Sequence, residues 1–120
     1  MNKYLFCIVI SLFFQHAGAQ NQYERVSEKF ILFYNQQAPD SIFNMYTSAL
    51  KEKLPLEKTR AVITGLHIQF GDMKSLDLLK QDSGFNIYKA GFSHQTMSLL
   101  LAVSPKDSLE GYRLVPYKKE

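Results

Sequence analysis

His67, His94 and the adjacent Ser93-His94 pair are the side chains most readily put to chemical use. Imidazole moves protons near neutral pH and ligates metals, and a serine beside a histidine raises the question of a nucleophile and its base. A metal site needs further His or carboxylate ligands at supportive spacing, and the chain has neither a His-x-x-x-His pair nor an Asp-rich loop. Neighbouring residues of a turn do not face each other as nucleophile and base, and "GFSHQTMS" lacks the Gly-x-Ser-x-Gly elbow. Each histidine is therefore expected to be packed or solvated: His67 beside the apolar face of a helix, His94 in a turn. Glycine-rich phosphate loops are absent, so nucleotide chemistry, metals and cofactors are not expected.

The compartment follows from the opening stretch, "MNKYLFCIVISLFFQHAGAQ". Lys3 supplies a positive start, Tyr4 to Phe14 an apolar run of about eleven residues, and Ala17-Gly18-Ala19 a small-x-small cleavage pattern. A spanning helix needs about twenty apolar residues, and Gln15-His16 interrupts the run first. The reading is a signal peptide over residues 1–19, a mature chain from Gln20, and export to the bacterial periplasm or the extracellular space without a stable membrane anchor. Cys7, the one cysteine, leaves with the signal, which removes disulfides and thiolate chemistry together.

Loss of Lys3 changes the formal charge from +3 to +2, thirteen basic against eleven acidic residues. The basic residues are spread along the chain apart from Lys118-Lys119, whereas nucleic-acid binding asks for a concentrated basic face. No nucleic-acid partner is expected. A mature chain of about one hundred residues supports one domain, taken as residues 20–120.

The pattern of apolar residues divides that domain into a helical half and a strand half. In "NQYERVSEKFILFYNQQ", Tyr23, Val26, Phe30 and Phe33 recur at three- and four-residue steps, with Asn21 and Glu24 as a cap. "APDSIFNMYTSALKEKL" reads as a second helix opened by Pro39 and ended by Pro55, with Ile42, Tyr46, Ala49 and Leu50 on one stripe. "LEKTRAVITGLHIQFG" reads as a third, burying Leu56, Thr59, Ile63, Leu66 and Phe70, with Gly71 as its stop. Gly65 inside it suggests a close helix–sheet contact or a bend.

After Gly71 the period becomes two. "MKSLDLLK", "FNIYKAGF", "TMSLLLAV" and "LEGYRLVPY" read as four strands separated by turns such as "QDSG" and "SPKDS". Short turns favour an antiparallel meander. The expected architecture is α+β, three N-terminal helices packed on a curved antiparallel sheet of about four strands. Met97, Leu99, Leu101 and Val103 should be buried, with Leu100, Ala102 and Phe92 on the opposite, also rather apolar, face. In the last strand Gly111 permits a bulge or close approach, and Pro116 ends the pairing.

Three helices followed by such a sheet resemble the nuclear-transport-factor-2-like (cystatin-like) cone, and more narrowly the domain-of-unknown-function family 3887. The resemblance rests on "ERVSEKFILFYNQQ", "SALKEKLPLEKTRAVITGL" and the closing "LEGYRLVPY", where Leu109, Gly111, Tyr112, Leu114 and Pro116 fit the family's pattern. One departure is Phe70-Gly71-Asp72-Met73, which follows its helix where the family has a longer glycine-aromatic loop. The resemblance implies an exported, non-catalytic binding or accessory module, found alone or ahead of secreted serine hydrolases. Only Lys118-Lys119-Glu120 follow the last strand, so the expectation is a module acting without a covalently attached hydrolase.

Its expected partners are a second copy through the sheet, a separately encoded hydrolase, or a small apolar ligand. The homodimer stands first, since one layer of three helices cannot cover two apolar sheet faces. The resemblance also implies a catalytic alternative, because some relatives are isomerases with a carboxylate base and a Tyr donor. Asp77 would be that base and Tyr88 or Tyr112 the donor. Convergence of Asp77 with either tyrosine in an enclosed pocket would favour an isomerase- or hydrolase-like enzyme; Asp77 in solvent would favour the binding module.

Overall fold

The aromatic stripe that begins at Tyr23 winds into a helix over residues 22–35, α1, whose fully buried line is Val26, Phe30 and Tyr34 at four-residue steps. The computed structural model describes residues 22–119; the expected signal peptide over 1–19, and Asn21 of the expected cap, lie outside the described residues. Three more helices follow, α2 (Pro39–Asn44), α3 (Ser48–Lys53) and α4 (Leu56–Phe70). Four strands then form an antiparallel meander, β1 (Met73–Asp82), β2 (Phe85–Phe92), β3 (Thr96–Val103) and β4 (Leu109–Pro116). Their spatial order is their chain order, and the sheet is open.

The expected second helix is two helices, a correction with a physical cause. Between α2 and α3 the backbone leaves helical geometry so that Tyr46 can form a parallel bridge with Leu109. The Leu109 amide donates to the Met45 carbonyl at 2.7 Å, and the Thr47 amide donates to the Leu109 carbonyl at 2.9 Å. Thr47 then caps α3, its hydroxyl oxygen accepting from the Leu50 amide. Two long-range backbone bonds and a side-chain cap replace the helical bonds lost at the break. The total is four helices rather than three.

In α4, Thr59, Ile63 and Phe70 are buried and Gly71 caps the end at a φ of +79°. A Cβ at Gly71 would stand 2.8 Å from the Ser93 Cβ, so the tight approach belongs here. Gly65 has open space around it, so of the two expected roles the close helix–sheet contact is not the one it plays. Asp40 and Arg60 tie α2 to α4 by two exposed bonds of 2.9 Å.

Ser83 and Gly84 both take positive φ in the two-residue turn between β1 and β2, and Asp82 pairs with Phe85 on either side of it. The registers place Tyr88, Leu99 and Leu114 on one row and Asn86, Leu101 and Tyr112 on the next. These rows, with Ala90 and Met97, face the helices and make the core. Phe92 belongs to this side as well: it stacks on Tyr34 and Phe70 and is buried, where the sequence suggested the opposite face. The bulge expected near Gly111 is present between Ala102 and Val103, opposite Gly111 and Leu109.

Candidate functional site

Two features of the fold can receive another molecule, one on each side of the sheet. The first is a cavity of about 190 Å³ between the helices and the sheet. Phe30 and Tyr34 reach it from α1, Leu66 from α4, and Phe92, Leu99 and Tyr112 from the strands. Its walls are overwhelmingly apolar, because the helical stripe and the inward rows of β2, β3 and β4 meet there.

The polar groups beside the cavity are tyrosine hydroxyls held in a fixed network. Tyr112 Oη lies 2.6 Å from Tyr46 Oη, which lies 3.0 Å from Thr59 Oγ1, and Thr59 Oγ1 is 3.2 Å from the Leu54 carbonyl. Tyr34 donates to the Gly71 carbonyl at 2.8 Å. Burial pushes the Tyr34 phenol up to about 12, with the charge of Asp72 adding to the effect. Burial likewise raises Tyr112, reinforced by its bond to Tyr46. Tyr46 is raised by burial although its bonds to Thr59 and Tyr112 oppose the shift, and Tyr88 is raised for the same leading reason. All four are neutral phenols at physiological pH.

The second feature is the outer face of the sheet. Lys80, Ile87, Leu100 and Arg113 form one cross-strand row, and Asp77, Lys89, Ser98 and Val115 the next. A groove of about 840 Å³ runs over Ile87, Leu100 and Val115, with half-exposed Leu79 at one side and Tyr117 to Lys119 at the other. Among the described residues, those lining it come from strands and the C-terminal segment, and none from a helix. The Lys89 ammonium sits 5.3 Å from the centre of the Tyr117 ring.

The three residues of the catalytic alternative do not converge. Tyr88 and Tyr112 share the helix side, whereas Asp77 pairs with Lys89 on the outer face and is exposed. His67 is partly buried at the end of α4, its Nε2 2.7 Å from Asp72 Oδ1 and its ring tilted against Tyr34. His94 is exposed in the β2–β3 turn, where its amide donates to the Phe70 carbonyl and Ser93 donates to the Asp72 carbonyl. Among the described residues, no three His, Cys, Asp or Glu side chains are placed to hold a metal ion, and no helix is long and apolar enough to cross a membrane.

The sequence reading missed Tyr46 and Thr59 as partners of Tyr112, having placed them on helical stripes only. Their types carried a signal, since a buried tyrosine or threonine needs a partner for its hydroxyl where phenylalanine or valine would not. No protein-family model matches this chain, and neither a curated protein nor a solved structure does.

Proposed function

We propose that this chain is an exported, non-catalytic association domain of the nuclear-transport-factor-2-like cone type, and that it pairs with a second copy through the outer face of its sheet. The observation that carries the reading is the apolar surface of Leu79, Ile87, Leu100 and Val115, which lies on the side away from the helices. An antiparallel sheet that faces water on one side normally alternates polar residues there. Here Leu100 and Ile87 occupy the middle of that side, where a second copy brings the same apolar row onto itself. Lys118 and Lys119 lie at the border of the groove, where they stay hydrated in a pair.

The separation of Asp77 from Tyr88 and Tyr112 supports a binding role over the enzymatic alternative, because a base and a donor on opposite faces cannot act on one substrate. Export rests on the N-terminal sequence, and the cone assignment on helices that cover one face of an open meander.

Sedimentation equilibrium of the secreted chain tests the association. The expected result is a dimer that Leu100→Glu converts to a folded monomer, since the glutamate adds charge to a surface that packs only when paired. A wild-type chain that stays monomeric at millimolar concentration sinks the reading. Co-purification with a hydrolase in place of a second copy would transfer the face to that partner.

A further inference from the structure

The lining of the inner cavity divides by depth. Phe30 and Tyr34 of α1, Met73 at the start of β1, Phe92 at the end of β2 and Leu99 of β3 make a floor in which every residue is buried. The lining residues that keep exposure are Val62 and Leu66 on one side and Tyr112, Arg113 and Leu114 on the other, so all belong to α4 and β4. The cavity therefore opens between α4 and an edge strand of the sheet. None of the floor residues carries a charge. Tyr34 is the one among them with a hydroxyl, and that hydroxyl donates to the Gly71 carbonyl.

We propose that this cavity is a binding site for a small uncharged apolar molecule of about one aromatic ring, admitted between α4 and β4. The size follows from the volume: a cavity of about 150 Å³ lined by Leu, Ile and Phe stays dry and takes up benzene, and this one holds about 190 Å³. The apolar class follows from the floor, where an ionised group would leave water without finding a counter-charge. Arg113 is the one charged residue of the lining, and its register opposite Leu100 turns it to the outer face, away from the floor. The aromatic preference follows from the rings already there. Tyr34 and Phe92 meet edge to face with their centres 5.6 Å apart, a geometry that a further ring extends. The site lies on the opposite side of the sheet from the surface proposed for association, so either can fail without the other.

The test is titration of the full secreted chain with toluene and with benzoate, followed by methyl NMR. Toluene is expected to give saturable shifts at Leu99, on the floor, while the methyls of Leu100, on the other face, stay in place. Benzoate carries the same ring with a charge and should bind at least about tenfold more weakly, because its carboxylate has to leave water for the ring to reach the floor. Val62→Trp and Leu66→Trp each set an indole in the mouth from a position open to solvent, where the fold has room for it, and each should abolish the Leu99 shift. A wild-type chain without saturable shifts, benzoate binding as tightly as toluene, shifts centred on Leu100, or toluene binding that survives both substitutions would each overturn the proposal.

Discussion

Buried phenols determine how this protein should respond to alkali. The folded forms of Tyr34, Tyr46, Tyr88 and Tyr112 all hold their protons above the ordinary tyrosine range, chiefly through burial. A raised folded value means that the folded chain binds more protons than the unfolded chain once pH passes about 10. Stability is therefore complete below that pH and falls as pH rises through about 12, where Tyr34 itself titrates. Thermal melts between pH 8 and 12 should show the decline, with phenolate absorbance from these four residues appearing only as the chain unfolds. Ionisation of all the tyrosines in a still-folded chain near pH 10 would refute this. Thr59→Val gives a second expectation: the Tyr46 hydroxyl loses a buried partner, and denaturant midpoints should register about 1–3 kcal/mol of lost stability.

Local rules held wherever an element could be built from its own residues. Two glycines of one helix show how differently the same residue can act. Gly65 has a helical backbone and empty space around it, so Gly65→Ala should stabilise the chain by about 0.5–1 kcal/mol. Gly71 has a positive φ, and the Ser93 Cβ and His94 ring crowd its missing side chain, so Gly71→Ala should destabilise by about 2 kcal/mol. Urea unfolding of the pair should move in opposite directions, and equal effects would mean that the two sites are not as described. Thr47→Ala should cost about 1 kcal/mol, because Thr47 is the cap that starts α3 after the break at Tyr46. That break was not legible in the run "NMYTSAL", where propensity alone continues the helix. The residue that ends it, Leu109, is sixty-two positions further along the chain than Thr47.

At the scale of the whole molecule, the sheet separates two surfaces in space. Its inner face closes the cavity with Phe30 and Tyr34 of α1 and Val62 and Leu66 of α4, and its outer face carries Ile87, Leu100 and Val115 away from the helices. Leu100→Glu should therefore abolish association in sedimentation while leaving the thermal melt, which reports the inner packing, unchanged. A Leu100→Glu chain that loses its cooperative melt would show instead that the outer row holds β2 and β3 together.

Strand positions, the turn at Ser83-Gly84 and the α+β order are legible in the sequence because they depend on neighbours a few residues apart. Period-two alternation, positive-φ turn residues and a glycine stop act locally, so "FNIYKAGF" and "TMSLLLAV" coincide with β2 and β3 end to end. The face taken by Phe92, the split of the second helix and the Tyr112–Tyr46–Thr59 network depend on partners brought together from opposite ends of the chain. Alternation says that two residues lie on opposite faces, but the helix layer decides which face is the core. Asp77 shows the consequence: the fold resemblance left open whether it meets Tyr88 or faces solvent, and the register puts the sheet between them.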